Sequence, residues 1–326
     1  MRKSKRSLTL AAAIVGFAFH PATGNAADLK LDLPVFPVPS LSNFTPPIIK
    51  AKKFDHANGL DINFVVKAAR SYRTDFASGT NKVGGSGTVL ADVAKLTEKG
   101  VSTVYLFNVF DFWGTVVVSA ASNIHSLKDL EGRTLAAALP TTNYAMFRYF
   151  AQAAGVDLSK LAVQGSTVPG LVALAAAGRV DAVQMWEPAR SVLTYGNNKY
   201  RSLDIIRAWK KKTGGDAIPY LGVAAHREWV AGHKAEIQRL YRTYDMAAKF
   251  VKEHPADAAS IISDASNGKL KRDMLVALIK SDRLGLSVYW GAKRAGAAAK
   301  IFQAAVTSHY LERMPPESVL YDGGGK

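Results

Sequence analysis

The sequence predicts an α/β protein of two lobes, the second inserted into the first and joined to it by two crossing strands. Three observations predict it. Strand-like and helical runs alternate through the first half, as in βαβ units. The stretch Val168 to Pro188 reads as helix, turn, strand and open strand end. Ile218 to Ala225 is an apolar run that brings the chain back after a long excursion.

Residues 1–27 predict a secretory leader. Arg2, Lys3, Lys5 and Arg6 form a basic region, Leu8 to Phe19 an apolar run, and Gly24-Asn25-Ala26-Ala27 a small-residue cleavage site. The apolar run is too short to cross a bilayer, so the mature chain is expected to be exported and soluble. Leu29 to Leu33 alternates apolar and charged residues and predicts a strand. Pro34, Pro37 and Pro39 argue against its continuing. Pro34 to Ser40 is therefore expected to be mostly loop, with Pro39 and Ser40 either in a ligand-facing turn or on plain surface. Pro46 and Pro47 fit the first turn of a helix from Leu41 to Lys53, and Leu60 to Val66 is a second strand. Ser71 to Ser78 is a short helix that Gly79 stops.

Lys82-Val83-Gly84-Gly85-Ser86-Gly87-Thr88 predicts a strand breaking into a glycine-rich turn, before a helix from Val89 to Glu98. Such glycines let amides approach a ligand at a helix N-terminus, with Ser86 and Thr88 supplying hydroxyls. The same residues equally make a plain capped turn. They carry neither a P-loop lysine nor a dinucleotide fingerprint. Val101 to Phe107 is a third strand, running into Phe110-Asp111-Phe112-Trp113. At a strand end, Phe110, Asp111 and Trp113 either wall a pocket around a ring or pack as core. Thr115 to Ser119 is a β-branched strand leaving this lobe.

The second unit opens with a short helix from Ser126 to Gly132 and a strand from Arg133 to Ala138. Pro140-Thr141-Thr142-Asn143 is a turn before a helix from Tyr144 to Ala154. Thr141, Thr142 and Asn143 are good N-caps; the alternative is that they face Ser86 and Thr88 across a cleft. Pro169 and Gly170 then open a helix that Gly178 stops. The strand Val180 to Met185 delivers Trp186, Glu187 and Pro188 at its carboxyl end, where ligands sit in open α/β sheets. The other reading is a buried tryptophan beside a surface glutamate.

From Glu228 the reading is helical. Ile237, Leu240, Tyr241, Tyr244, Ala248 and Val251 share one face of a helix from Lys234 to Glu253. Helices at Pro255 to Ser263, Lys269 to Ile279 and Ala292 to Ser308 follow, and Tyr321 to Lys326 is expected to fray.

With 326 residues, 48% hydrophobic and 21% charged, the chain is globular and long enough for two cores. Its 42 basic residues outnumber 26 acidic ones, a net +16, of which the leader holds four. A field of this sign favours anionic partners or membrane surfaces. The charges are dispersed, though, and the densest run, Lys210-Lys211-Lys212, reads as a solvated loop or helix end, so nucleic acid is not expected. The absence of cysteine removes disulfides, a lipid anchor, thiolate metal sites and cysteine nucleophiles. The seven histidines form no ligand-like pair, and neither a metal site nor a cofactor is expected.

Four segments carry a family resemblance: Ser126-Leu127-Lys128-Asp129-Leu130-Glu131-Gly132-Arg133-Thr134, Ala153-Ala154-Gly155-Val156-Asp157, Ala173 to Ala182 with Trp186-Glu187-Pro188, and Lys252 to Ala259. With them the chain resembles the solute-binding proteins of ABC importers in the nitrate/sulfonate/taurine group, which includes binders of thiamine-pyrimidine precursors. The resemblance implies a type II periplasmic-binding fold with a hinge of two crossing strands. Lobe 1 would comprise 28–117 and 222–326, and lobe 2 would comprise 118–221. It also implies a periplasmic, non-catalytic monomer that closes on a small anionic or aromatic solute and delivers it to an inner-membrane permease. By position, Ser86 and Thr88 from one lobe and Thr141, Thr142 and either Glu187 or Trp186 from the other would hold the solute. Pro140-Thr141-Thr142-Asn143 replaces the family's frequent Gly- or Ser-rich turn, and Phe110 to Trp113 is rich in aromatics. Both departures argue against the simplest inorganic anions. The same resemblance reaches a pyrimidine synthase of this fold, whose chemistry implies a cysteine-rich iron site that this chain lacks. A ligand-sensing domain is the third reading.

Overall fold

A computed structural model describes residues 28–324 apart from 140, 204, 215 and 216. The leader, Pro140 of the expected turn and the last two residues lie outside the described residues. In chain order the strands are β1 (Leu29–Val35), β2 (Leu60–Val66), β3 (Val83–Val89), β4 (Thr103–Asp111) and β5 (Gly114–Ser119). They continue with β6 (Thr134–Ala137), β7 (Ala162–Gly165), β8 (Ala182–Trp186), β9 (Tyr200–Leu203), β10 (Pro219–His226) and β11 (Leu286–Trp290). One sheet has the order β11-β4-β10-β3 and another the order β7-β6-β8-β5-β9, while β1 and β2 form a parallel pair beside β3. Lobe 1 is the four-stranded sheet with the β1–β2 pair and its helices; lobe 2 is the five-stranded sheet with its own.

The chain passes from lobe 1 to lobe 2 at Phe112–Trp113, between β4 and β5, and returns before β10. The Phe112 amide donates to the Ile218 carbonyl at 2.7 Å, tying the two crossings together. The lobe boundaries expected at 117/118 and 221/222 therefore fall inside β5 and β10. Each strand belongs wholly to the lobe it pairs with, because its ladder bonds lie there.

Most elements form where the pattern places them. β2 matches its expected span, and Gly178 adopts a left-handed φ of 64° past the helix Val168–Ala176. The helix Lys234–Glu253 buries Ile237, Leu240, Tyr244, Ala248 and Val251 on one face. Four expectations are corrected. Strand β1 runs on through Pro34, whose missing donor is tolerated because β1 forms a ladder on one edge only. The glycine-rich segment is not a turn but the fully buried strand β3. A Cβ on Gly85 would sit 2.4 Å from the Pro34 carbonyl oxygen and one on Gly87 3.1 Å from the Phe36 ring. The glycines thus let the chain at the end of β1 lie against β3, rather than shaping a ligand loop. Strand β11, within the region read as helical, pairs with β4 at the sheet edge. The tail does not fray at Tyr321: its amide donates to the Tyr105 carbonyl and its ring packs on Trp290.

Candidate binding cavity between the lobes

A cavity of about 450 Å³ lies where the lobes meet. Lobe 1 supplies the loop after β1, Ala68, Ala69, Arg73 and Val89; lobe 2 supplies the loops after β6, β7 and β8. Every one of these loops or caps starts at or leads from a strand end, which is where the fold concentrates backbone amides. Four helices begin on the wall: Ala69–Ala77 and Leu90–Glu98 from lobe 1, Thr142–Ala153 and Val168–Ala176 from lobe 2. A helix N-terminus leaves its first amides without intrahelical acceptors and carries the positive end of the helix dipole.

The two lobes treat these termini differently. Thr141 Oγ1 accepts from the Tyr144 amide at 3.2 Å, and Thr167 Oγ1 from the Gly170 amide at 3.4 Å. In lobe 1 the cap positions are Ala68 and Val89, which have no side-chain acceptor to offer. Ser40 caps a 3-10 turn, Leu41–Asn43, on the same wall. Asn143 is 4% exposed, and its Oδ1 has no hydrogen-bond partner.

Two ion pairs frame the cavity. Arg73 Nε donates to Asp92 Oδ2 at 3.1 Å, and among the described residues its terminal nitrogens meet no acceptor. Burial is the strongest single influence and works against the Arg73 charge, but Asp92 together with Tyr310 and Tyr220 more than offsets it, and the guanidinium is held above its ordinary pKa. Asp92 Oδ1 also accepts from Thr142 Oγ1 at 3.1 Å, a hydrogen bond from lobe 2 to lobe 1. On the other flank Glu187 of lobe 2, wholly buried, accepts from Arg283 Nε of lobe 1 at 3.1 Å and from the Ser191 amide at 3.1 Å. Each lobe thus extends one carboxylate to the other. The rest of the wall is largely apolar, with Phe36, Leu139, Trp186 and Tyr220 the largest groups.

Of the residues singled out from the sequence, Pro39, Ser40, Thr141, Thr142, Asn143, Trp186 and Glu187 line this one cavity. Five do not. Ser86 is 0% exposed, its hydroxyl donating to the Ser42 carbonyl at 3.0 Å. Thr88 Oγ1 donates to the Gly85 carbonyl, beside the Tyr72 hydroxyl at 2.7 Å. Both are held inside because their segment is a strand. Phe110 lies in the core of β4. Asp111 is turned to β11, accepting from Tyr289 at 2.5 Å and from Asn108 at 3.2 Å; burial raises its pKa to about 6 against those bonds. Trp113 faces another surface, with the guanidinium groups of Arg190 and Arg283 over its ring at 5.9 and 5.8 Å. The alternative of a surface glutamate at 187 is not what the fold produces.

The sequence reading passed over Phe36, Arg73, Leu139, Thr167 and Tyr220. Thr167, directly before Val168-Pro169, carries a legible N-cap signal; a lone arginine inside a helix carries none. Among the described residues one group of metal-type ligands, Asp55, His56 and Asp61, lies close together, but Lys50 Nζ already sits 2.6 Å from Asp55.

Two α/β lobes with a cavity at their seam, walled by helix starts from both, define a periplasmic-binding type of fold. The chain belongs to the NMT1/THI5-like family, whose sequence profile matches residues 43–258. Its structure is similar to that of the periplasmic aliphatic sulphonate binding protein SsuA from Escherichia coli. The TM-score is 0.71 at 15% identity, covering 89% of this chain and 96% of that one. The alkanesulfonate-binding protein SsuA from Xanthomonas axonopodis pv. citri, bound to MOPS, is similar at TM-score 0.71 and 16% identity, over 90% of this chain and 97% of that one. The desulfurization enzyme DSZB shares the fold at TM-score 0.60 and 13% identity, over 89% and 95% of the two chains. No curated protein matches the chain.

Proposed function

We propose that the protein is the extracytoplasmic solute-binding component of an ABC importer, and that the interlobe cavity holds a small organic anion with an apolar body. The observation that carries this is the convergence of four helix N-termini, two of them without side-chain caps, on one cavity that also holds Arg73. Each terminus favours a negative group by roughly 0.3–1 kcal/mol, and together with Arg73 they suit a sulfonate or carboxylate. The apolar wall of Phe36, Leu139 and Trp186 suits an alkyl or aryl remainder rather than a bare inorganic anion. The sulfonate-binding relatives support the same class.

In this reading a solute touching both lobes shifts the protein toward its closed form by its differential affinity for that form. The closed form is then recognised by a permease in the inner membrane, the expected location being the periplasm. Among the described residues no helix is long and apolar enough to cross a membrane. The enzyme among the structural neighbours gives a second reading some standing, but the chemistry of the cavity favours binding. The chain has no cysteine; among the described residues no histidine lines the cavity, and the one carboxylate that does, Glu187, is paired with Arg283. The serine and threonine hydroxyls there lack a base. Titration calorimetry of the mature chain against alkyl and aryl sulfonates, carboxylates and pyrimidines tests the proposal. Saturable binding of an organic anion that Arg73→Gln weakens is the expected result; preference for a neutral or cationic solute overturns the anion assignment.

A further inference from the structure

A second cavity, of about 530 Å³, lies in lobe 1 and shares Phe36, Arg73 and Val89 with the first as a common wall. Its chemistry is different. Five rings line it: Phe36, Tyr72, Phe76, Tyr310 and the imidazole of His309, with Phe36 packed on Tyr72 at 4.7 Å. Three cations do as well, Arg73, Lys95 and Lys99, against Asp92 as the one carboxylate of the lining.

That carboxylate is already committed. One oxygen accepts from Arg73, and the other from both Thr142 and Tyr310. Lys95 Nζ donates to the Tyr310 carbonyl at 3.1 Å and lies 4.3 Å from the centre of the Tyr310 ring, so it has a cation–π contact but, among the described residues, no counter-ion. Lys99 forms no ion pair among the described residues. A partly enclosed, ring-lined space with an unbalanced positive edge has one complementary occupant: a flat apolar body carrying a negative group.

We propose that this lobe-1 cavity is a second binding site, for a planar aromatic monoanion whose ring lies among Phe36, Phe76 and Tyr310 and whose charge faces Lys95 and Lys99. Apart from the shared wall of Phe36, Arg73 and Val89 the site uses residues outside the interlobe cavity, with Lys95 and Lys99 on its side alone, so the two sites are separable by experiment.

The probe is 2-naphthoate, titrated into the mature chain by calorimetry. The expected result is a binding event that Lys95→Glu/Lys99→Glu weakens by at least about tenfold and that Trp186→Ala, in the interlobe wall, leaves in place. The milder pair Lys95→Gln/Lys99→Gln, with an unchanged melting temperature, shows the same direction without a charge reversal. Absence of any 2-naphthoate binding, or binding that both lysine pairs leave unaltered, overturns the proposal. A failure of the interlobe reading is separately visible, as sulfonate or carboxylate binding that is insensitive to Arg73→Gln and Trp186→Ala together.

Discussion

The two lobes bring the same device to the cavity and finish it in opposite ways. Lobe 2 caps its helices with Thr141 and Thr167, so part of each N-terminus is satisfied by the protein itself. Lobe 1 starts its helices after Ala68 and Val89, with no side-chain acceptor, and adds Arg73. The difference assigns the lobes different parts. On the proposed function lobe 1, whose two helix starts lack a side-chain cap, would gain most from an anion, whereas lobe 2, already capped, would contribute shape and closure through Leu139 and Trp186.

The interlobe ion pair gives the largest test. Glu187 is wholly buried, while Arg283 is 29% exposed at its side chain. Arg283→Met leaves the carboxylate with a distant Arg190, at 4.0 Å, and the Ser191 amide. Breaking a buried pair from this side costs about 3 kcal/mol, read as a fall in denaturation midpoint. Glu187→Gln is milder, because the arginine it releases reaches water. Equal losses from the two variants would mean that the buried carboxylate is not the costly partner.

Arg73 comes next. Arg73→Gln removes the cation that faces the cavity and is expected to weaken a sulfonate or carboxylate by about 1.5–3 kcal/mol, the range for a hydrogen bond to a charged group. Asp92 loses one of its three donors in the same variant but keeps Thr142 and Tyr310, so stability changes little. An affinity unchanged by this substitution would move the anion to lobe 2 and reverse the division of labour.

Asp111 supplies a contrast in pH. Burial raises its pKa to about 6, above the usual carboxylate value of about 3.9. The folded chain therefore holds this proton more tightly than the unfolded chain does. Its contribution to stability is present at low pH and is lost as pH rises from about 4 through 6. Asp111→Asn is neutral throughout and should gain on the wild type over that window, by roughly 1–2 kcal/mol at pH 7. Melting temperatures of both proteins across pH 4 to 7 give the comparison; parallel curves would show that Asp111 does not titrate there.

How much of this was legible follows from which patterns are local. The helix Val168–Ala176 and the Trp186-Glu187 strand end were readable because proline, glycine and a short apolar run mark their own limits. Strand β3 was not. Its glycines answer to the carbonyl of Pro34 and the ring of Phe36, contacts made only once β1 lies across it. Strand β11 is five residues long and gains its identity from pairing with β4. The same long-range contact turned Asp111 away from the interlobe cavity and toward β11, because Tyr289 arrives from that strand. Arg73 had no local mark at all, since an arginine in a helix is ordinarily a solvated side chain.

The smallest expected effects decide the comparison most directly, because they exchange the two finishes. Thr167→Ala removes a cap from lobe 2 and should cost about 1 kcal/mol of stability with little change in anion affinity. Ala68→Asp adds one to lobe 1. An aspartate there can accept the first amides of the helix Ala69–Ala77, which favours the free protein by a similar amount. Its carboxylate would also stand where the solute's negative group is proposed to sit, so stability should rise while anion affinity falls. Opposite signs for the two properties at position 68, beside parallel signs or no affinity change at 167, are what an open receptor in lobe 1 requires. If Ala68→Asp stabilises the chain and leaves organic anions bound as before, the uncapped terminus is a packing accident and the anion is held elsewhere on the wall.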